Sequence, residues 1–324
     1  MRKKRILLWS LCLLLFAFSF SVSGIHEAYA ATTSDYTGWK TSGSNKYYYV
    51  NGQKVTGLHK IGKYTYAFNS SGVMLVGWQK LGKYYRYFAK TTGRMCVDKV
   101  IGGRKINSKG VWIPVVVLDP GHSAVVAYGY EPLGPGSGQM KAKGTSGTEG
   151  VATGVEEYKL NLDIALKLRT VLQQNGCKVI MTRTNNKVAL SNIQRANIAN
   201  KAKADAYIRI HANGDNNSSL NGAMTICTTR NSPFVASMYK KNKALSTALL
   251  NAYVKETKCR KQFVWETDSM TGNNWSKVPT TIIEMGYMSN PSEDRLMQQA
   301  AYQKKMVIGI ANGIRDFLIG NKAD

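Results

Sequence analysis

The chain has 324 residues, with 44 Lys+Arg against 19 Asp+Glu, so its net charge is +25. This length accommodates one α/β domain of about 200 residues and a smaller unit. So large a positive charge indicates an anionic partner, for which nucleic acid is the simplest candidate. The cysteines beyond residue 30 show no CxxC spacing, which argues against a cysteine zinc site or a cysteine nucleophile, and their pairing stays open.

Residues 1–30 are typical of a secretory signal peptide. They combine basic residues at 2–5, an apolar segment at 6–22 and the small-x-small cleavage pattern Ala28-Tyr29-Ala30. An uncleaved membrane anchor is the alternative, but the apolar segment is shorter than the ~20 residues that a spanning helix needs. Without these residues, four basic and one acidic, the net charge is +22. We expect a secreted protein of a Gram-positive-type envelope that meets anionic wall polymers rather than nucleic acid, and a membrane only during export.

Residues 38–112 repeat a glycine–aromatic pattern. Gly38-Trp39, Gly57-Leu58 and Gly77-Trp78 recur at intervals of 19 and 20 residues, and each is followed by an aromatic cluster and another glycine. Aromatic residues between glycine turns predict one short β-hairpin per repeat. A single hairpin cannot bury its own face, so neighbouring repeats are expected to stack as a solenoid. We place this repeat domain at residues 31–113.

The repeat pattern resembles the choline-binding type of cell-wall repeat, which is also similar to glucan-binding and clostridial toxin repeats. The resemblance implies grooves that bind sugars or quaternary amines on aromatic faces. Leu58 stands where the family places a tryptophan, a departure that argues against choline itself. The alternative is that the aromatic residues only hold the solenoid together. The residues carried over as wall-ligand positions are Trp39, Tyr48, Tyr66, Trp78 and Tyr85.

From residue 114 to residue 324, strand and helix patterns alternate. Short apolar runs bounded by turn residues predict buried parallel strands. The alternation predicts an α/β domain with a mostly parallel sheet and helices on both faces. The predicted strands are residues 115–118, 177–183, 206–210 and 280–283, and the predicted helices are about 157–174, 190–204, 233–258 and 292–318. Residues 123–154 are expected to form a long polar loop, whose length indicates a functional rim or lid.

Three predicted strands each end in a group that can bind a metal ion or titrate. His122 follows the first strand, His211 follows residues 206–210, and Glu284 follows residues 280–283. Open α/β sheets place their sites at the carboxyl ends of their strands. The chain has four histidines, and the two beyond residue 60 occupy two of these ends. The sequence therefore predicts a metal site there.

The residue types match hydrolytic zinc chemistry. Such a site takes three protein ligands and leaves a position for water. His122 and His211 would supply two ligands, and Glu157 or Glu156, at the start of the first helix, the third. Glu284 lies in an apolar setting that favours a raised pKa, as expected for a general base that passes the proton of water to a leaving amine.

Five segments, in order, resemble the zinc-dependent N-acetylmuramoyl-L-alanine amidases of bacterial cell walls. They are residues 117–122 (VLDPGH), 157–162 (EYKLNL), 195–200 (RANIAN), 210–213 (IHAN) and 284–290 (EMGYMSN). The resemblance spans residues 115–318 and selects Glu157, which lies four residues before Asn161. It implies that His122, Glu157 and His211 hold one Zn²⁺ and that Glu284 is the catalytic carboxylate.

Four further residues are expected around the site. Asp119 is expected to orient the ring of His122. Arg183 and Arg195 occupy recurrent positions of the family, where they would form structural ion pairs or the edge of the substrate site. Asn213, beside His211, is placed in the same group.

The resemblance implies hydrolysis of the amide between N-acetylmuramic acid and the L-alanine of the stem peptide, with peptidoglycan as substrate and the repeats as wall anchor. A zinc carboxypeptidase or endopeptidase acting on the stem peptide is one alternative. A non-catalytic wall-binding protein is the second. A nucleic-acid binder is the third, suggested by charge alone. The long segment between His122 and Glu157 departs from the family pattern.

Overall fold

A computed structural model describes residues 35–320 of the chain. The predicted signal peptide lies outside these residues. Within them, the search for helices found none with the length and apolar character that a membrane span requires.

Residues 38–105 form antiparallel hairpins, as the repeats predicted. Trp39 pairs with Tyr48 in the first hairpin, and Trp78 pairs with Tyr87 in the third. The amide of Met74, which follows the second hairpin, donates to the Lys46 carbonyl in the first, so consecutive units are joined by backbone hydrogen bonds. The strands are β1 Gly38–Ser42, β2 Asn45–Val50, β3 Gln53–Lys54, β4 Gly57–Ile61, β5 Tyr64–Phe68, β6 Gly77–Leu81, β7 Tyr84–Phe88, β8 Val100–Ile101 and β9 Arg104–Lys105.

Residues 115–320 form an α/β unit around one six-stranded sheet. Its strands are β10 Val115–Pro120, β13 Lys178–Met181, β14 Ala206–Asn213, β15 Ala223–Cys227, β16 Lys261–Glu266 and β17 Thr280–Tyr287, with the small hairpin strands β11 Tyr130–Pro132 and β12 Met140–Ala142 outside the sheet. The order is β13-β10-β14-β17-β15-β16. The first four are parallel, whereas β15 runs antiparallel to β17.

Helices cover both faces of this sheet, which confirms the predicted fold class. They are α1 Glu157–Gln174, α2 Asn192–Lys201, α3 Tyr239–Thr257, α4 Thr271–Asn274, α5 Pro291–Met297 and α6 Ala300–Gly320. Leu118 belongs to a core with α1, α3 and α6, whereas Val117 packs with α2 on the other face. Because strand residues alternate between faces, Asp119 lies on the α2 face. Arg209, which pairs with Asp119, lies there too.

The last hairpins pack against the α/β unit. Tyr85 is 2% exposed, and its hydroxyl lies 3.9 Å from the Cys177 Sγ atom at the start of the β13 segment. Arg104 donates to the Leu318 carbonyl at 3.0 Å and stacks over Trp112. These contacts lie near the amino-terminal ends of β13 and β10, opposite the ends that carry the predicted site.

Three sequence-based predictions differ from the observed elements. The helix predicted at 292–318 is two helices, α5 and α6, and the Gln303 side chain donates to the Met297 carbonyl at 2.9 Å where the first one ends. The helix predicted from residue 233 begins at Tyr239, after a single 3₁₀ turn. The segment 123–154 contains the β11–β12 hairpin, so it is not an entirely irregular loop.

Candidate metal centre and its cleft

The parallel register of β10, β14 and β17 brings the predicted residues together. Pro120 pairs with Ile210, and His211 pairs with Glu284, so the three strands end side by side. His122 follows β10 with a backbone φ of 58°, a left-handed conformation that few residues other than glycine adopt. Such strained positions cluster at functional sites.

His122, Glu157 and His211 form a compact group of donor atoms. His122 Nε2 lies 3.1 Å from His211 Nδ1 and 3.2 Å from Glu157 Oε2. His211 Nδ1 lies 3.0 Å from Glu157 Oε1. In a tetrahedral zinc site with bonds of about 2.0–2.1 Å, neighbouring ligand atoms are about 3.3 Å apart. Two nitrogens and a carboxylate in this triangle therefore fit a zinc ion.

The Glu157 carboxylate is held in place from several sides. The amides of Thr148 and Ala212 donate to it at 3.0 and 3.2 Å, and the Asn161 side chain donates at 3.0 Å. Burial would raise the pKa of Glu157, but the hydrogen bonds with both histidines hold it well below its usual value. Glu156 instead faces Lys159 at 2.7 Å. The geometry thus places Glu157, and not Glu156, beside the histidines.

The two histidine rings are fixed differently. His122 Nδ1 contacts the Thr145 carbonyl at 2.8 Å and its hydroxyl at 3.0 Å, which leaves Nε2 to face the other donors. A Cβ atom on Gly121 would lie 2.2 Å from the His211 ring, so only glycine leaves room for that ring. Burial lowers the pKa of His211 to about 4. His211 is therefore neutral near pH 7, as a metal ligand must be.

Asp119 does not orient His122, and that prediction was wrong. Its carboxylate is fully buried and paired with Arg195 at 2.7 Å and Arg209 at 3.1 Å. Thr182 and Tyr207 donate to it at 2.6 and 2.9 Å. Burial would raise the pKa of Asp119, but the two guanidinium groups hold it well below its usual range. The carboxylate contacts these four side chains, while the backbone continues through Pro120 and Gly121 before it reaches His122.

Glu284 lies at the same strand ends with one oxygen unsatisfied. Its Oε2 atom is buried and has no hydrogen-bond partner among residues 35–320. Removal from solvent, reinforced by the negative charge of Glu157, raises the pKa of Glu284 to about 8. A carboxyl group with this pKa can both accept and release a proton near neutral pH.

The metal centre lies between two lobes of one cleft, both of which reach His122, His211 and Glu284. The lobe beside the segment 123–154 has a volume of about 300 Å³, and we call it the basic lobe because Lys141 and Lys143 line it. The other has a volume of about 490 Å³. We call it the polar lobe, and its remaining lining residues include Thr148, Asn213, Asp215, Asn216 and Ser289.

The other predicted residues occupy distinct places. Arg195 lines the basic lobe and pairs with Asp119, while Asn213 lines the polar lobe. Arg183 forms no ion pair within the described range: it donates to the carbonyls of Pro120, Gly121 and Tyr158 and so braces the turn before His122.

The five aromatic residues predicted to bind a wall ligand separate into two groups. The Trp39 ring lies 5.2 Å from the Tyr48 ring and 4.9 Å from the Tyr66 ring. Trp39 is 39% exposed, and Tyr66, although only 7% exposed, lines one pocket together with Trp39. Trp78 and Tyr85 are 8% and 2% exposed and belong to the core shared with the α/β unit. For these two residues the alternative, a purely structural role, fits the geometry, because packing covers their aromatic faces.

The fold and the donor group define a class: an α/β protein with a cluster of two histidines and a carboxylate that could hold a metal ion at its strand ends. A family model described as N-acetylmuramoyl-L-alanine amidase matches residues 116–316, and one described as a choline-binding repeat matches residues 55–99. The chain therefore belongs to the N-acetylmuramoyl-L-alanine amidase family. The predicted class of function, a peptidoglycan hydrolase, is confirmed at the level of this family.

Curated relatives and solved structures agree with this family assignment. The amidase LytC of Bacillus subtilis is 29% identical over 167 residues, which are 50% of this chain and 31% of LytC. The germination-specific amidase of Bacillus subtilis is 26% identical over 216 residues, covering 62% of this chain and 78% of that protein. The structure of an N-acetylmuramoyl-L-alanine amidase from Clostridium difficile 630 is 26% identical, with a TM-score of 0.52, covering 64% of this chain and 97% of the other. Ami1 of Mycobacterium smegmatis is 23% identical and shares the fold with a TM-score of 0.58. The match covers 64% of this chain and 98% of Ami1.

Several residues that build the site were not predicted. Thr145 and Thr148, which contact His122 and Glu157, lie in a segment without hydrophobic periodicity, so no sequence signal placed them. Arg209 had a signal, since a charged residue inside a buried strand needs a partner.

Proposed function

We propose that this protein is a zinc-dependent amidase that cleaves the bond between the lactyl group of N-acetylmuramic acid and the L-alanine of the stem peptide. One observation carries the proposal: the His122, Glu157 and His211 donor triangle lies beside a buried, unpartnered Glu284 oxygen at the mouth of an open cleft. A zinc ion held by the three donors would supply Lewis acidity, which acidifies water and polarises a carbonyl.

The chain's own residues would carry the proton. Glu284 accepts a proton from the attacking water as its oxygen joins the carbonyl carbon of the lactyl group. Glu284 then donates that proton to the alanine nitrogen as the carbon–nitrogen bond breaks. The products are a lactyl carboxylate and a peptide with a free amino terminus. The raised pKa of Glu284, about 8, suits both transfers near neutral pH.

The surroundings of the ligands support this assignment. Thr145 would keep the proton of His122 on Nδ1, so that Nε2 is free to bind metal. The network of Asp119, Arg195 and Arg209 does not contact the three donor atoms. It holds the strand end because Arg195 also donates to the backbone carbonyls of Pro120 and His122. Arg183 supports the same turn. We propose roles in positioning for these residues.

We further propose that the protein is exported by residues 1–30 and acts at the wall of a Gram-positive-type envelope. The hairpin repeats would anchor it there, with the cluster of Trp39, Tyr48 and Tyr66 as the wall-ligand position. Anchoring raises the effective concentration of an enzyme on an insoluble substrate. The net charge of +22 after export would attract teichoic acid, an effect that weakens with salt. The domain boundaries that we propose are residues 31–113 and 114–324.

A zinc peptidase acting on the stem peptide uses the same kind of donors, so the experiment must identify the bond. Purified peptidoglycan is digested with the mature protein, and the soluble products are analysed by mass spectrometry. An amidase releases intact stem peptides with a free amino-terminal alanine. Peptides shortened within the stem, with alanine still attached to the muramyl group, would establish the peptidase instead.

A further inference from the structure

The two lobes of the cleft differ in charge. The basic lobe is lined by Lys141, Lys143, Arg195 and Arg209, with Glu284 as the single acidic residue among its described lining. The polar lobe is lined by Glu157, Asp215 and Glu284, and none of its described lining residues is Lys or Arg. The charge therefore changes sign from one side of the metal centre to the other.

The four cations of the basic lobe are not equivalent. Arg195 and Arg209 are already paired with the buried Asp119 carboxylate. The ammonium groups of Lys141 and Lys143 have no hydrogen-bond or ion-pair partner among the residues that the structure describes. Glu131 pairs with Lys141 across the β11–β12 hairpin, but its buried carboxylate is turned toward the Ile193 amide at 3.3 Å. Two lysines thus line the cleft, and no described carboxylate forms an ion pair with either of them.

The hairpin that carries the lysines is fixed to the site. The Lys143 carbonyl accepts from the Asn192 amide at 3.1 Å and from its side chain at 3.0 Å, at the start of α2. Two residues later, Thr145 contacts the Nδ1 atom of His122. The Cα atoms of Lys143 and Thr145 are therefore at most about 7 Å apart. Lys141 and Lys143 therefore stand at the end of a braced hairpin beside the candidate metal centre.

We propose that this charge difference orients the substrate. The stem peptide lies in the basic lobe, where Lys141 and Lys143 pair with a free peptide carboxylate, and the glycan lies in the polar lobe. The two halves of the substrate differ in the same way, because N-acetylated sugars are uncharged while the peptide carries carboxylates. Amide and hydroxyl groups such as those of Asn213 and Ser289 suit sugar hydroxyls. The inference rests on the proposed function, since it names the two sides of the same bond.

The test compares two probes that differ in charge alone: N-acetylmuramoyl-L-alanyl-glutamate with both carboxylates free, and its neutral bis-carboxamide. Kd values are measured with the zinc-loaded mature chain carrying Glu284→Gln, which prevents turnover during titration. We expect the free acid to bind about tenfold more tightly, a difference of about 1.4 kcal/mol, because its carboxylates would pair with two lysines. Lys141→Gln/Lys143→Gln should reduce this ratio to about one, and Lys141→Glu/Lys143→Glu should reverse it.

The matched control is Lys304→Gln/Lys305→Gln, which removes two exposed lysines from α6 on the opposite face of the sheet and should leave the ratio unchanged. A ratio near one with Lys141 and Lys143 intact, or a ratio that survives their removal, overturns the inference. Turnover of the free acid by the unmutated enzyme is measured in parallel. Absence of turnover together with a lysine-dependent ratio refutes the amidase proposal but not the charge assignment.

Discussion

His211 and Glu284 are directly paired across the neighbouring strands β14 and β17. Residues opposite each other in a sheet project to the same face, so a metal donor and a titratable carboxylate stand side by side. The same face carries Ile282 and Arg209, which form the next such pair. Backbone register, rather than loop conformation, therefore fixes the distance between the metal position and the proposed base.

Replacing Glu284 by Gln should abolish most hydrolysis while leaving the zinc site intact. The amide cannot accept the proton of water, and loss of a general base typically lowers the rate by about 10²–10⁴-fold. The measurement is the release of amino-terminal alanine from peptidoglycan, together with zinc content per chain. Activity within about twofold of the unmutated enzyme would contradict the assignment of Glu284 as base.

The same substitution should stabilise the metal-free protein, increasingly so at higher pH. The folded-state pKa of Glu284, about 8, lies above the ordinary value of 4.5. Between these values the unfolded chain loses a proton that the folded chain retains, so stability falls as pH rises. Glu284→Gln removes this loss. We expect its advantage over the unmutated protein in the free energy of unfolding to grow between pH 5 and pH 8.5, by about 3–5 kcal/mol for a pKa raised from 4.5 to about 8. An advantage that is equal at both pH values would show that the carboxyl group titrates normally.

Glu157→Gln should lose zinc, whereas Glu156→Gln should retain it. Only Glu157 faces the two histidines, while Glu156 pairs with Lys159 outside the cleft. Zinc at 100 times its Kd should raise the stability of the unmutated protein by about 2.7 kcal/mol. The two variants, which differ by one position, are compared by zinc content and by the zinc-induced shift in Tm. Equal shifts in both would mean that the third ligand is not Glu157.

Asp119→Asn should destabilise the fold by about 3–5 kcal/mol, because it leaves Arg195 and Arg209 buried without a counter-charge. The depressed pKa of Asp119 means that its contribution is present above pH 3.8 and is lost as the pH falls toward the folded-state value. Asp163→Asn, which breaks an exposed pair with Lys167, is the matched control and should change stability by less than about 0.5 kcal/mol. Denaturant unfolding at pH 7 and pH 3 measures both effects. A loss at pH 7 no larger than that of Asp163→Asn would refute the network.

Tyr85→Ala should destabilise the α/β unit although Tyr85 lies in the repeats. It is 2% exposed and shares a core with Trp112 and Cys177, so its truncation should cost about 3–5 kcal/mol. The neighbouring Tyr84 is 42% exposed, and Tyr84→Ala should have little effect. Unfolding followed by hydrogen exchange in α1 and α6 reports on the α/β unit itself. Unchanged protection there in Tyr85→Ala would show that the repeats are independent of it.

Much of the fold and of the site could be predicted from local sequence. Apolar runs such as residues 115–118 indicate buried parallel strands, and the rule that sites lie at strand ends then brings His122, His211 and Glu284 together. Glycine spacing and clustered aromatic residues were sufficient for the hairpins. These features depend on periodicity within a few residues, which a single sequence displays.

Contacts between distant segments could not be predicted in the same way. The partners of Asp119 come from β14 and α2 as well as from Thr182, so its orientation depends on the packed sheet. Trp78 and Tyr85 have the spacing of ligand-binding aromatic residues, but docking of the last repeats buries them. Lys141 and Lys143 become significant only when the hairpin places them beside the cleft.

Zinc-dependent cleavage of the muramyl–alanine amide can be measured on purified peptidoglycan. Amino-terminal alanine is quantified after incubation with the mature protein, after treatment with a chelator, and after zinc is added back, with Glu284→Gln as the control. We expect release that disappears with the chelator, returns with zinc and is absent in the variant. Binding to the wall with no new amino-terminal alanine, zinc present, would contradict this expectation.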